Sequence, residues 1–492
     1  MDVARASCQR GARMKRQEVM TGSSWAATAW FALGLATVGC TEVPVTASTT
    51  TIQPNKAEPQ SPDIVLIVTD DQRWDTLGEM PGLRRTVRAH GMTFREAFVV
   101  NPLCCPSRAS ILTGAYSHTT GVYTNFPPDG GVAAFDDRST LATWLDDAGY
   151  RTAFVGKYLN GYAKPGYVPP GWARWAAFLR GPSPYFDYAM SVDGELREFG
   201  SAAADYSTDV LAGIAERFIR GTPSGDPLFL FLAPSAPHHP QTPAPRYAWT
   251  EPIIPFSPGP NVPERDVSDK PAYIRALGSQ DRHSEQEWNA KAVALKAVDD
   301  LVVRTVRALR DRGNLRNTLL VFMSDNGLAV GEHRWSYKLT PYEESIRIPL
   351  VVRYDPLTRG TSTNALAVNI DLAPTIAEIV GVETPGAEGR SLVPLLGGDV
   401  SAIRTGFLIE HLQFRRGPHR ADPPTYCALR TVDRLFVHYD TGEEELYDLR
   451  RDPYQLRNLA TDPARRAELD ELRARTKLRC RPPPPRFSWT SP

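Results

Sequence analysis

The sequence predicts an α/β fold, with a largely parallel sheet flanked by helices and a smaller C-terminal α+β subdomain. Three observations carry this expectation. Ile64-Val65-Leu66-Ile67-Val68 is an unbroken aliphatic run, of the kind buried on both faces in a parallel sheet. Thr318-Leu319-Leu320-Val321-Phe322-Met323 is a second such run. Between strands, residues 291–312 place Ala294, Val298, Leu301, Val302, Thr305, Val306 and Leu309 on one stripe, and Gly313 follows as a stop, which reads as an amphipathic helix. Strands alternating with helices define the α/β class.

The N-terminal region precedes these elements. A basic stretch with Arg10, Arg13, Lys15 and Arg16 leads into an apolar segment, residues 25–39, that is short for a bilayer span and has the length of a signal-peptide core. Its end, Leu35-Ala36-Thr37-Val38-Gly39-Cys40, resembles the lipobox of bacterial lipoproteins, with Thr37 where Leu is usual. Residues 1–40 are therefore expected to be a lipoprotein-type leader and residues 41–61, rich in Thr, Pro, Val and Ser, a flexible tether. The expected location is outside the cytoplasm, in a bacterial periplasm or on the cell surface. The expected membrane contact is a lipid on Cys40. Formal net charge is zero over 492 residues, which gives no global positive field and argues against a nucleic-acid partner.

Residues 62–390 form the expected catalytic domain. Its first strand ends in Thr69-Asp70-Asp71-Gln72 and the strand from Thr318 ends in Ser324-Asp325-Asn326-Gly327. Paired oxygen donors at two core strand ends are expected where a site lies at the carboxyl edge of an open α/β sheet. Two further strands, residues 151–155 and 228–232, end before Gly156-Lys157 and Pro237-His238. After residues 385–398 the character changes to loops, then short strands such as Leu435-Phe436-Val437-His438-Tyr439, then a charged helix near residues 463–478. Residues 391–492 are read as the C-terminal subdomain and a proline-rich tail.

Asp70, Asp71, Asp325 and Asn326 are hard oxygen donors, suited to Ca²⁺ or Mg²⁺ rather than zinc, although either pair could simply begin a turn. In Cys104-Cys105-Pro106-Ser107-Arg108-Ala109-Ser110-Ile111-Leu112-Thr113-Gly114, Pro106 is expected at a first helical position and Gly114 at the stop, which sets Cys104 just outside a helix N-terminus. A thiol there would have a depressed pKa and could serve as nucleophile or metal ligand. The bland alternative is a pair of buried structural cysteines beside a proline turn.

The order Cys-x-Pro-Ser-Arg-x-x-x-Leu-Thr-Gly, met in full from Cys104 to Gly114, resembles the signature of the type I sulfatases of the alkaline phosphatase superfamily. The resemblance extends through Asp371-Leu372-Ala373-Pro374-Thr375 and Glu445-Leu446-Tyr447-Asp448-Leu449. It implies a large mixed, mostly parallel sheet and oxidation of Cys104 to formylglycine by a formylglycine-generating enzyme. It also implies a metal, Ca²⁺ or Mg²⁺, held by Asp70, Asp71, Asp325, Asn326 and position 104. By the same resemblance Lys157 and Lys338 bind sulfate oxygens, Arg108 sits beside the nucleophile, and His238, rather than His239, faces the ester oxygen. Many members read Gly-Lys-Trp-His-Leu-Gly where this chain has Gly156-Lys157-Tyr158-Leu159-Asn160-Gly161, so the histidine that helps release sulfate is replaced by Leu159. That version, with Tyr167-Val168-Pro169-Pro170-Gly171-Trp172, resembles the glucosamine-6-sulfatase branch and points to sulfated carbohydrate. The missing base is expected to be His118 or His333, each close in sequence to a proposed site element, with His333 preferred although it could equally be a structural histidine. A phosphodiesterase or phosphonate monoester hydrolase, and a surface glycan-binding protein without turnover, are the competing readings. The export reading further predicts that Cys427 and Cys480 pair.

Overall fold

The computed structural model describes residues 61–179, 185–278, 284–414 and 422–489. The leader, Cys40 and nearly all of the tether therefore lie outside the described residues. No helix among the described residues is long and apolar enough to cross a membrane.

Strands Asp63–Thr69, Arg151–Gly156, Leu228–Ala233 and Thr318–Ser324 form where the aliphatic runs predict them. With Arg174–Leu179 they make a five-stranded parallel block in the spatial order Thr318, Asp63, Leu228, Arg151, Arg174. Antiparallel neighbours extend it on both sides, Leu350–Arg353 at one end and Tyr188–Val192 followed by Glu195–Phe199 at the other, so the whole sheet is mixed and ten-stranded. Side chains alternate across the central strand. Ile64, Leu66 and Val68 face a layer that includes the helix Cys104–Thr113, and Val65 and Ile67 face the helices Ser207–Gly221 and Ser284–Asp311.

The long helix starts seven residues before the predicted 291, at Ser284. Its first turns are polar to the eye, but Glu285 and Glu287 suit a helix N-terminus and Trp288 and Lys291 are buried. The stripe from Ala294 to Leu309 is buried as predicted.

The C-terminal sheet is a four-stranded antiparallel meander, Gly406–His411, Tyr426–Thr431, Arg434–Tyr439 and Glu444–Asp448. Leu469 and Leu472 of the helix Arg466–Arg479 pack on one face of it. Phe407 and Ile409 join Phe98, Val100 and Ile346 in an apolar cluster that seats this sheet against the body. Cys427 and Cys480 are disulfide-bonded and tie the end of the last helix to the sheet.

Candidate active site

The parallel strands deliver their loops to one edge. Asp70 and Asp71 follow Thr69, Asp325 and Asn326 follow Ser324, and Lys157 follows Gly156. Pairing carries past the strand ends, because the Asp325 amide donates to the Thr69 carbonyl at 3.0 Å and the Asp71 amide donates to Asp325 Oδ1 at 3.1 Å. Asp71 sits in the left-handed region with φ 60°, where an aspartate is tolerated better than most residues.

The signature helix differs from the expectation in its start. It begins at Cys104 itself, with Leu103 as the extended N-cap, and the first intrahelical bond runs from the Ser107 amide to the Leu103 carbonyl at 3.0 Å. Pro106 thus occupies the third position of a first turn whose amides have no intrahelical acceptor, so proline costs nothing there. Gly114 ends the helix with φ 72°. The expected depressed thiol pKa is also corrected. Burial pushes the Cys104 thiol up to about 11, and the nearby Lys157 and Lys338 only partly offset this.

Around Cys104 the charges interlock. Lys338 Nζ lies 2.6 Å from the Cys104 sulfur and donates to Asp71 Oδ1 at 2.5 Å. Lys157 Nζ donates to Asp70 Oδ2 at 2.5 Å, and Asp70 Oδ1 is 3.7 Å from the same sulfur. Asn326 Nδ2 donates to Asp71 Oδ1 at 2.7 Å. Arg108 Nε donates to Asp325 Oδ2 at 2.8 Å and Nη1 to the Lys157 carbonyl at 2.6 Å, while Nη2 is buried with no hydrogen-bond partner among the described residues. Burial alone would raise the Asp70 and Asp71 carboxyls. Lys157 pulls Asp70 well below the usual range, and Lys338 brings Asp71 to about 2. Asp325 goes the other way, raised by burial and by Asp70 beside it.

His238 is the one predicted histidine that the fold brings to this cluster. Its Nε2 lies 3.6 Å from Asp71 Oδ2. Its Nδ1 is 2.7 Å from the His239 carbonyl, an acceptor only, which assigns the ring proton to Nδ1 and leaves Nε2 with a lone pair. Ligand atoms of Asp70, Asp71, Cys104 and His238 all lie within 4.8 Å of one another, a grouping that could hold a metal ion. Hard oxygens dominate the wider donor set once Asp325 and Asn326 are included, which fits Ca²⁺ or Mg²⁺.

The two histidines expected to supply the missing base are placed elsewhere. His118 lies between Glu410 at 3.0 Å and Glu388 at 3.3 Å. Burial works against its charged form, but these carboxylates hold its pKa up to about 10, so it stays protonated and is no proton acceptor at neutral pH. His333 Nδ1 is 2.6 Å from Glu264 Oε2, with Nε2 3.9 Å from Glu344 and the ring against Tyr342. Closeness in sequence to the site elements did not put its ring beside the thiol: Lys338 contacts Cys104, whereas His333 contacts Glu264, Glu344 and Tyr342. Leu159 is buried in the apolar core and supplies no proton acceptor.

Several supporting residues were not singled out from the sequence. Lys291 opens the predicted helix with no role of its own there, yet it is buried, donates to the Pro237 carbonyl at 3.2 Å, and has its pKa lowered by burial. Asn125 accepts from the Cys105 amide at 3.0 Å, and Asn369 donates to Ser107 Oγ at 3.0 Å, which brace both faces of the signature helix. Asn369 stands two residues before Asp371 in a stretch already notable in the sequence, and that was its only signal.

A charged cluster buried at the carboxyl edge of a parallel sheet, beside one cysteine at a helix start, defines a hydrolytic enzyme of the alkaline phosphatase-like fold. The sulfatase family model matches residues 62–382, and the model of the N-sulphoglucosamine sulphohydrolase C-terminal region matches residues 331–479. The chain belongs to the sulfatase family and is a sulfuric ester hydrolase. The N-acetylglucosamine-6-sulfatase of Capra hircus is 33% identical over 451 residues, covering 81% of this chain and 80% of that one. Among solved structures, BT4656 in complex with its substrate D-glucosamine-2-N,6-O-disulfate superposes with TM-score 0.71 at 24% identity over 86% of this chain and 98% of that chain. The phosphonate monoester hydrolase of Silicibacter pomeroyi has the same fold, with TM-score 0.66 and 24% identity over 86% of this chain and 95% of that chain.

Proposed function

We propose that the enzyme hydrolyses a sulfate monoester on a sulfated carbohydrate, using a divalent metal and formylglycine at position 104. The observation that carries this is the complete Cys104–Gly114 signature placed with its cysteine between Lys338 and Asp70. The likeness to N-acetylglucosamine-6-sulfatases supports a sugar as the substrate class. Formylglycine would supply a hydrated aldehyde, with one hydroxyl to attack sulfur and a second through which sulfate can be released. Asp70, Asp71, Asp325 and Asn326 would hold Ca²⁺ or Mg²⁺, which would neutralise charge on the sulfate.

The chain's own side chains then divide the work. Lys157 and Lys338 bind sulfate oxygens and keep the metal carboxylates ionised. Arg108, fixed on Asp325, offers its open Nη2 to an oxyanion. His238 Nε2 takes a proton from the nucleophile side, returns it to the leaving sugar oxygen, and is then free to accept the next proton. In this reading a single histidine, His238, serves both half-reactions in place of the usual pair, whose second member is Leu159 here, and His118 and His333 have no part in it.

The leader at residues 1–40, the tether at 41–61 and a lipid on Cys40 would place the catalytic domain, 62–390, and C-terminal subdomain, 391–492, outside the cytoplasm after modification by a formylglycine-generating enzyme. The fold is also shared with a phosphonate monoester hydrolase, so the deciding experiment compares sulfate, phosphate and phosphonate esters with one common leaving group. A larger kcat/KM for the sulfate ester is expected. Preference for the phosphonate would overturn the reading.

A further inference from the structure

Away from the active site, a cavity of about 810 Å³ opens along the outer edge of the large sheet. Trp74, Arg84, Arg88, Arg95, Arg347 and Thr361 are among the residues that line it. Arg84 and Arg88 stand at the two ends of the helical turn Arg84–Arg88, on one side of it by their spacing. Arg95 follows the strand Met92–Phe94.

The guanidinium groups of Arg84, Arg88 and Arg95 form no ion pair among the described residues. Nearby carboxylates are committed elsewhere. Asp75 pairs with Arg73, Asp355 with Arg353, and Glu96 with Arg347 and Arg430. Glu79 accepts from the Ile253 and Ile254 amides. Arg88 touches only Thr93 Oγ1, at 3.4 Å, and its pKa is lowered by burial and by Arg84 and Arg95 around it. Arg84 and Arg95 are exposed and Arg88 is half-buried beside them, so together they present unpaired positive charge that favours an anionic partner.

The register shows where the groove leads. Phe94 pairs with Leu350 and Leu350 with Met323, so Arg95 and Arg347 lie at the carboxyl edge that carries Asp325. Met92 pairs with Thr361, so the end of the groove near Thr361 lies toward the opposite edge. A cavity with Arg95 and Arg347 at the catalytic edge and Arg84 and Arg88 in the same wall suits several anionic groups better than one small ion. Trp74 supplies a flat apolar wall, with Arg347 stacked on its ring at 5.3 Å.

We infer that this groove is a second binding site, for the sulfated groups of an extended carbohydrate whose terminal unit occupies the active site. The inference rests on the sulfated-carbohydrate reading given above. Its test compares the unaltered protein with an Arg84→Ser/Arg88→Ser/Arg95→Ser variant. Binding of a sulfated dextran oligosaccharide should weaken about tenfold or more in the variant and become less sensitive to salt. Hydrolysis of a small aryl sulfate should be unchanged. Equal affinity of both proteins for the oligosaccharide, equal binding of uncharged dextran, or tighter binding of single-stranded DNA of matched charge would each overturn the site. If the variant fails to fold, hydrogen exchange on the unaltered protein decides: the oligosaccharide should slow exchange over residues 84–95, and no protection there overturns the proposal. If the aryl sulfate is not hydrolysed by either protein, the functional reading fails, and the binding measurement still judges the groove.

Discussion

Two of the charge clusters buried among the described residues differ in what their surroundings do to Asp70 and Asp71 on one side and to Glu445 on the other. At the carboxyl edge of the sheet, Asp70 and Asp71 are buried beside Lys157 and Lys338, and opposite charge outweighs burial so that both carboxyls lie below their ordinary range. Where the C-terminal sheet meets the body, Glu264, Lys270, His333, Glu344 and Glu445 are buried beneath Tyr342 and Tyr447. There burial outweighs Lys270 and His333, and Glu445 is pushed up to about 7. The first cluster keeps ionised carboxylates and an open guanidinium against a single reactive position. The second is closed over by aromatic rings and joins two sheets. A buried histidine beside carboxylates is therefore not enough to mark chemistry; what it faces decides.

Substitution at the nucleophile should separate the clusters most sharply. Cys104→Ala is expected to lower kcat/KM by on the order of 10⁴ or more while leaving the melting temperature nearly unchanged. Peptide mass analysis should find the aldehyde at Cys104 and the plain thiol at Cys105. Full turnover by protein carrying an unmodified thiol would remove the formylglycine reading. Next in size is the pair of histidines. His238→Ala should cost about 10²–10⁴ in rate, most with poor leaving groups. His333→Ala should leave turnover of the folded protein within a few-fold, yet lose about 3–5 kcal/mol of stability because Glu264 and Glu344 would remain buried without it. The reverse pattern in the two variants would return the base to His333.

The strands that carry the site were legible because buried parallel strands are written as continuous aliphatic runs, as at Ile64 to Val68. The outer strands were not. Tyr188–Val192 and Glu195–Phe199 mix polar and aromatic residues, Glu195–Phe199 being almost wholly exposed, and Met92–Phe94 is too short to show any period. In the site, residues adjacent to strand ends were readable, because a strand fixes the direction in which its loop leaves. His118 and His333 were misjudged because nearness in sequence says nothing about side-chain direction after a turn. Lys291 was hidden for a related reason: a lysine at the start of a predicted helix reads as solvated, and only the packing of the helix against the loop at Pro237 shows it to be buried.

A smaller effect should follow from opening the disulfide. Cys427 and Cys480 close a loop with a separation of 53 residues. Replacing both with Ser is expected to cost about 3–4 kcal/mol, mainly by freeing the unfolded chain. The rate on a small ester should hold, since the bond ties the last helix to the C-terminal sheet and packs against Leu408 and Phe487. A large fall in rate without a fall in stability would mean that the C-terminal sheet positions the substrate.

The smallest expected effect is the pH dependence that Glu445 contributes. Its carboxyl is fully buried and accepts from the Tyr342 hydroxyl at 3.0 Å through Oε1, and the burial favours the neutral acid. The folded pKa, about 7, lies above the ordinary value of 4.5, so the folded protein holds this proton where the unfolded chain has released it. The stabilisation is complete below the unfolded value and is lost as pH rises through the folded one. Between those limits it should amount to about 1–3 kcal/mol. Glu445→Gln, which cannot ionise and keeps an acceptor for Tyr342, should flatten this part of the melting profile and leave the rate on a small ester unaltered. An unchanged slope in the variant would show that Glu445 is ionised in the folded protein, and that the second cluster is compensated by opposite charge as fully as the first.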